Sequence, residues 1–498
     1  MRINNLKGKK EFLFVIIFFT CLVFGILVIF GTLTSGFHMV DDHEYIRFFV
    51  DLNENGKEVG LLIKEEMNRD GYLRFRPLYY PIRILQTIIF GTNLFAMSVV
   101  KGIETVLACI LIYYIARKLN CSVKYAIATA LFIMVGPQSA TWWKLGPQEL
   151  TGTWIFALGI WFILKSKETK KKRYNMAAIL LFFVDSLYKE SFIMLLPAVI
   201  LFYLYMELEG KAINWKNLGK AIKGQLASLL VLGIIFLAEI YLIVFEVGTN
   251  QIGYVGIDTA MGLWDYIKVL LNNVRLYLRI GPYIIFVLAL CVLFASDLLK
   301  MIVRLKWELF FALVMVLPQM VLYSKSGLEE RYVIPWVYGV AYFFVIVLNR
   351  QPELEKKKKR KWYDYALGLL LAGHLILVCY EANYFTFRGE GIAQMLKTTV
   401  ELSTEESNIL SAFAPYDESD KTTSFWLHTK GRDKVYVYRD GQCTDWYNKG
   451  AGNTVTLDDI DIIMMYNYND RHFIEEPDID LTDFEIREYG TMRLAVRR

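Results

Sequence analysis

Asp41-Asp42-His43-Glu44 gathers three carboxylates and an imidazole just beyond the first long apolar block of the chain. Adjacent carboxylates can divide a proton transfer, one acting as general base while the other holds a cation or orients the first. The same residues also read as a helix start. Asp41 followed three positions later by Glu44, ahead of Tyr45, Ile46, Phe48 and Phe49, is an acidic variant of a capping box. A second cluster, Arg74-Phe75-Arg76-Pro77-Leu78-Tyr79-Tyr80, follows some thirty residues on. Arginine grips phosphate with a planar fork, so two arginines among aromatics suit a lipid phosphate at headgroup depth. The plainer reading is interfacial anchoring, with both side chains reaching back to water. Pro77 suits the first turn of a helix and biases Arg76 towards extended backbone.

Three further clusters carry charge where apolar residues dominate. Trp142-Trp143-Lys144-Leu145-Gly146-Pro147-Gln148-Glu149 separates two apolar blocks. Its tryptophans fit an aromatic belt at the membrane surface, while Lys144 and Glu149 could face a cavity. Tyr188-Lys189-Glu190-Ser191 interrupts apolar sequence, where a lone charge costs about 2.5–3.5 kcal/mol to insert. A Lys189–Glu190 pair there marks either a polar pocket or the tip of a helix hairpin. Glu329-Glu330-Arg331-Tyr332, with Pro335 just after, offers Arg331 to an anionic group, or to a local ion pair worth little in water. Glu239 stands alone in an apolar block and is a functional suspect by position. Lys101 and Glu104 are spaced to pair with each other on one helix face.

These clusters need a scaffold, and the composition says which kind. Of the 498 residues, 55% are hydrophobic and 15% aromatic. The apolar residues come in blocks of about twenty, the length that crosses a bilayer at 1.5 Å per residue. The blocks predict about eleven spans, at 12–33, 94–116, 123–140, 149–165, 174–187, 191–206, 225–247, 281–299, 307–323, 332–348 and 363–382. The fifth and sixth are short enough to form one re-entrant hairpin. The first is too long for a cleavable signal peptide. Alternate loops hold the basic residues: Lys7–Lys10, Arg117/Lys118/Lys124, Lys165–Arg173, Lys211–Lys223, Lys300–Lys306 and Arg350–Lys361. The positive-inside rule makes that side cytoplasmic, along with the N-terminus, and puts all the chemical clusters outside.

The expected fold class is therefore an all-α polytopic membrane bundle with a small C-terminal extracytoplasmic α/β domain. Residues 1–382 form the transmembrane module, including the long first outer loop 34–93, and 383–498 form the soluble domain. In that domain 435–438, 460–465 and 492–496 read as strands and 407–413 as a helix. The six cysteines make no CxxC pair, so neither a disulfide framework nor a zinc knuckle is indicated. The few cysteines and lysine-rich loops point to a bacterial plasma membrane. No phosphate-binding loop is present on the cytoplasmic side, and no nucleic-acid partner is expected.

The order of these motifs resembles the GT-C class of membrane glycosyltransferases over roughly residues 10–350. The resemblance rests on Asp41-Asp42 after the first span, Arg76-Pro77-Leu78 ending the long loop, Lys189-Glu190, and Arg331-Tyr332 with Pro335. The nearest branch is that of the protein O-mannosyltransferases and their bacterial relatives. This chain departs from that pattern in having Asp-Asp where the branch has Asp-Glu. Its soluble C-terminal region matches no named family.

The resemblance implies a transferase that moves a sugar from a polyprenyl-phosphate donor to a glycan, lipid or protein acceptor on the outer face. Asp41 or Asp42 would then accept the acceptor's proton. Arg74, Arg76, Lys189 and Arg331 would hold the leaving phosphate, with Lys144, Glu149 and Glu190 as further binding residues. The physics is consistent, because positive charge develops at the sugar ring and negative charge on the departing oxygen. Room is left for a divalent metal, but His38 and His43 beside two acids are a weak metal signature. A secondary transporter, kept open by Glu239, and a polymerase or ligase of lipid-linked glycans are the competing readings.

Overall fold

The computed structural model describes residues 5–38, 41–71, 74–208, 213–247, 261–278, 281–324, 330–413, 418–439, 441–445, 454–467 and 477–498. Glu329, singled out from the sequence, lies outside them. Helix α1 (Asn5–Ile29) leads to three helices that fill the long first loop: α2 (Asp42–Asn53), α3 (Val59–Gly71) and α4 (Tyr79–Phe90). The bundle continues with α5 (Leu94–Lys118), α6 (Val123–Met134), α7 (Ala140–Trp143), α8 (Glu149–Thr169) and α9 (Lys172–Ser186). Next come α10 (Glu190–Ile193), α11 (Leu196–Leu208) and α12 (Trp215–Tyr241), then α13 (Leu263–Leu278) and α14 (Gly281–Phe294). It closes with α15 (Leu298–Arg304), α16 (Lys306–Leu322), α17 (Ile334–Ala341) and α18 (Lys357–Leu402).

Among the described residues, six helices are long and apolar enough to cross a membrane, or seven if the pair Ile285–Phe294 and Leu298–Arg304, bent by 96°, is one span. The surface is inside-out relative to a water-soluble protein. Phe12, Leu13, Ile234, Leu237, Val292 and Ile376 are exposed on helix faces, whereas Arg83, Asp185, Glu149 and Lys189 are buried. Lipid is the medium that such an exterior suits. Alternation of small and large residues matters inside: a Cβ on Gly152 would strike the Phe192 ring at 2.3 Å.

Helix α18 has 46 residues. At 1.5 Å per residue it is about 69 Å long, more than twice a bilayer's hydrocarbon core. It runs unbroken through residue 382, and its last third becomes part of the C-terminal layer. There α19 (Glu418–His428) and a seven-stranded sheet stack on it, in the order β4-β3-β2-β1-β5-β7-β6. The strands are β1 (Ile409–Ser411), β2 (Val435–Arg439), β3 (Gln442–Asp445), β4 (Thr454–Val455), β5 (Ile462–Tyr466), β6 (Phe484–Tyr489) and β7 (Met492–Arg497). β1 is parallel to both β2 and β5, and the outer pairs are antiparallel. Three expected strands are present. The helix expected at 407–413 is instead the central strand β1, whose Ile409-Leu410-Ser411 run is buried on both faces. Continuous apolar burial of that kind suits a parallel strand and lacks helical period.

One apolar cluster joins Ile392, Met395 and Leu396 of α18 to the sheet and also to Phe37 and Ile46 of the first loop. Two glycines make that approach possible. A Cβ on Gly389 would lie 2.0 Å from the Phe37 carbonyl oxygen, and one on Gly391 2.4 Å from that of Tyr489. Alanine normally strengthens a helix relative to glycine. At Gly391 the backbone clash reverses the sign. Gly391→Ala should lower the thermal midpoint of the purified protein, at a cost of about 1–3 kcal/mol. Gly368→Ala, in the same helix with nothing within 4 Å, should leave it unchanged or raise it.

Candidate active site

The long first loop is anchored by one side chain that the sequence reading passed over. Arg83 projects from α4, whose buried stripe is Tyr79, Tyr80, Arg83, Ile84 and Thr87. Its side chain is fully buried. The guanidinium donates to the Glu44 carboxylate of α2 and to the Gly146 carbonyl ahead of α8, and lies 4.0 Å from the Asp41 carboxylate. The Tyr79 and Tyr45 rings stack against it at 4.4 and 5.2 Å. Burial brings the Arg83 pKa down to about 10, against the pull of Asp41 and Asp42, so it stays charged at neutral pH. A charged residue at i+4 within an apolar stripe was the signal that could have found it.

Asp41 stands at the start of α2 but does not cap it. Its side chain makes no cap hydrogen bond, and its backbone is left-handed, with φ 56° and ψ 14°. That conformation is costly for a residue with a Cβ and persists only where surroundings impose it. They do so here. The Asp41 amide donates to the Glu418 carboxylate of α19 at 2.9 Å, while Glu44 is held by Arg83. The capping-box reading therefore gives way, because the two acids that would form the box point to other partners. Burial works against ionisation of Asp41, but the charges of Arg83, then Arg331 and Arg76, outweigh it. They hold its carboxyl below the ordinary carboxylate range. Asp42 is different: it is fully buried and accepts the His38 amide, bracing the turn behind Asp41.

Asp41 lines a cavity of about 20 Å³ together with Arg76, Tyr79, Pro147, Gln148, Glu149, Tyr188, Lys189 and Arg331. Five of the residues selected from the sequence thus meet: Asp41, Arg76, Glu149, Lys189 and Arg331. They come from segments up to 290 positions apart, as the numbers 41 and 331 show. Two hydrogen bonds to backbone carbonyls help to assemble the hollow. The Leu78 amide donates to the Leu187 carbonyl at 3.0 Å, drawing the Arg76 segment to the turn after α9. The Gln319 side-chain amide of α16 donates to the Ser191 carbonyl at 2.5 Å. Lys189 pairs with Glu149 and lies 3.7 Å over the Tyr332 ring, which stacks parallel on Tyr323 at 5.0 Å. Arg76 lies 4.3 Å over Tyr79.

The remaining selected residues stand outside the cavity lining. Arg74 and Glu190, the first residue of α10, are not among its lining residues. Lys144 pairs with Glu330 at 3.8 Å and packs 4.0 Å over the Phe385 ring of α18. Trp142 and Trp143 are buried, at 1% and 2% exposure, and Trp142 donates to the Met134 carbonyl at 2.9 Å. They wedge the core and form no belt. Lys101 and Glu104 do approach each other, at 4.0 Å, as spaced.

Besides Arg83, the sequence reading missed Gln148 and Glu418. Gln148 is 5% exposed, and among the described residues neither its amide nitrogen nor its oxygen has a partner. A buried amide with both ends unsatisfied facing a cavity is set to bond a ligand there. Charges lining the cavity number three positive (Arg76, Lys189, Arg331) and two negative (Asp41, Glu149), so it favours an anion. Among the described residues no three His, Cys, Asp or Glu side chains gather. His38 is turned to the Thr32 carbonyl at 3.0 Å, and Asp42 is engaged by a backbone amide. Burial lowers the His38 pKa to about 4 and the His43 pKa to about 3, so both rings are neutral at pH 7.

Burial, reinforced by Asp41 and Asp42, pushes the Glu418 carboxyl up to about 8. Between its ordinary value near 4.5 and about 8 the folded protein holds a proton that the unfolded chain releases. Stability from this group therefore falls as pH rises through that window. Asp41, shifted the other way, acts only in the acid range. The thermal midpoint should drop between about pH 5 and about pH 8, and Glu418→Gln should flatten that slope. Arg83→Met should cost about 3–5 kcal/mol of stability, because Glu44 is left buried without its partner.

Residues 77–241, which include Arg83, Glu149 and Lys189, match the family model described as dolichyl-phosphate-mannose-protein mannosyltransferase. No protein of curated function matches the chain. Among solved structures, ArnT from Cupriavidus metallidurans bound to undecaprenyl phosphate is similar in fold. The two share 12% identity and a TM-score of 0.51, over 96% of this chain and 97% of that one. The apo state of ArnT matches at 12% identity and TM-score 0.49, over 95% of this chain and 97% of that one. The apo oligosaccharyltransferase of Archaeoglobus fulgidus matches at 11% identity and TM-score 0.49, over 91% and 69%. The chain has the fold of the GT-C membrane glycosyltransferases, and its residues 77–241 are related to the protein mannosyltransferases.

Proposed function

We propose that this chain transfers a sugar from a polyprenyl-phosphate-linked donor to an acceptor on the extracytoplasmic face, with inversion at the anomeric carbon. The observation that carries the reading is the single cavity in which Asp41 faces Arg76, Lys189 and Arg331. An acceptor hydroxyl attacks the anomeric carbon as the bond from that carbon to the donor phosphate oxygen breaks. The hydroxyl proton passes to the Asp41 carboxylate, and the phosphate departs as an anion. Held ionised by its cationic neighbours, Asp41 is always ready to accept that proton, although it is a modest base. Guanidinium and ammonium groups meet the charge growing on the leaving oxygen, each positioned before reaction begins. Gln148 and Tyr188 are placed to bond sugar hydroxyls.

A cavity of about 20 Å³ holds roughly one water, so the lining must part to admit a sugar phosphate. In this reading residues 1–382 carry the membrane module and the donor site, and 383–498 an outer domain whose Glu418 accepts the Asp41 amide. The setting is a bacterial plasma membrane, with the N-terminus cytoplasmic. The acceptor is a surface glycan, lipid or protein. A lipid-linked glycan ligase would use the same cavity with a longer donor. A transporter is less favoured, since Glu239 accepts the Ser186 hydroxyl at 2.6 Å within the bundle, away from this cavity.

Asp41→Asn should fold and still bind polyprenyl phosphate, yet lose transfer by about 100-fold or more in a reconstituted assay. Asp42→Asn should mainly reduce stability. Full activity in Asp41→Asn would remove the base assignment.

A further inference from the structure

Helices α8, α9, α11 and α12 have a second feature, at the end remote from the candidate active site. Glu149 opens α8 and Lys189 follows the close of α9, whereas Lys167 and Lys170 end α8 and Lys172 opens α9. Between these ends lies a groove of about 730 Å³, bounded also by the last turn of α11 and the middle of α12. That size suits a small amphiphile, and it is far larger than the catalytic cavity.

The lining of the groove has two zones. Towards the middle of the helices it is apolar, with Ile163, Ile179 and Val231. Towards the helix ends it is cationic, with Lys167, Lys170, Lys172 and Lys223. The tight α8–α9 turn, in which Lys170 adopts a left-handed φ of 58°, sets Lys170 and Lys172 close together on the rim. Glu207 is the one carboxylate of the lining, and it already accepts the Gln225 amide at 2.8 Å. The floor is built from matched polar groups. Tyr203 donates to Asn175 at 2.7 Å, and Asn175 donates to Ser228 at 2.8 Å, tying α11, α9 and α12. Lys167 is steadied by the Met206 carbonyl at 2.5 Å. A groove that turns from apolar to fourfold cationic along the membrane normal matches an acyl chain ending in a phosphodiester.

We infer that this groove binds an anionic glycerophospholipid of the bilayer, its phosphodiester among Lys167, Lys170, Lys172 and Lys223 and its chains along α9 and α12. This site is separate from the proposed donor site in residues and in position along the helices. A bound lipid there bridges α9 to α12, so it also braces the helices whose other ends carry Lys189 and Glu239.

The test is native mass spectrometry of the full chain released from nanodiscs of mixed phosphatidylglycerol and phosphatidylcholine. Wild type should retain phosphatidylglycerol selectively. Replacing Lys167, Lys170, Lys172 and Lys223 with Gln should reduce that retention by about tenfold or more. A control with Lys356, Lys357, Lys358 and Lys359 changed to Gln carries the same charge loss on the same side and should retain the lipid. Equal losses in the two variants would mean only diffuse attraction and would overturn the site. So would equal retention of both lipids by wild type, or displacement of phosphatidylglycerol by polyprenyl phosphate. Transfer activity is read separately: loss of Asp41-dependent turnover with lipid retention intact would bear on the proposed function and leave this site standing.

Discussion

A buried guanidinium is the constraint on which the rest of the outer face depends. Arg83 has no water to solvate it, so its charge must be met by protein groups, and those groups come from three directions. Glu44 belongs to α2, Gly146 to the turn before α8, and Tyr79 to the start of its own helix. Satisfying one cation therefore fixes where the first loop lies against the bundle. Asp41, 4.0 Å away, inherits both its position and much of its low pKa from that cation. The left-handed backbone at Asp41 is the visible cost of the arrangement.

Much of the fold was legible because a bilayer imposes its length on every crossing segment. The charged clusters were legible for the complementary reason: charge inside apolar sequence is expensive, and its presence needs an account. That logic picked out Asp41, Arg76, Glu149, Lys189 and Arg331, which do share a cavity. It could not say that Asp42, adjacent to Asp41, turns inward to the His38 amide, because neighbouring residues at a helix start point in different directions. Nor could it separate Lys144, which spends its charge on Glu330 and the Phe385 ring. Arg83 was hidden by its own context, an amphipathic helix in a stretch read as loop. Glu418 was hidden by distance, since only docking of α19 on α2 gives it a partner 377 positions away.

The C-terminal layer is more than an appendage in this architecture. Helix α18 enters it without a break, and Gly389 and Gly391 let two backbones lie against that helix at distances a side chain would forbid. The apolar cluster that results includes Phe37 and Ile46 on either side of Asp41. The sheet, the long helix and the first loop thus form one packed unit, and the Glu418–Asp41 contact is its polar edge. Strain at Asp41 is sustained by that packing.

The central claim is that three cations from distant segments hold one phosphate opposite Asp41. Equilibrium binding of polyprenyl phosphate to the full chain in nanodiscs tests it most directly. Lys189→Gln and Arg331→Gln should each weaken binding by about tenfold, a charge-assisted hydrogen bond apiece, while Lys144→Gln changes it little. Unchanged affinity in both cavity variants, or an equal loss in Lys144→Gln, would contradict the account.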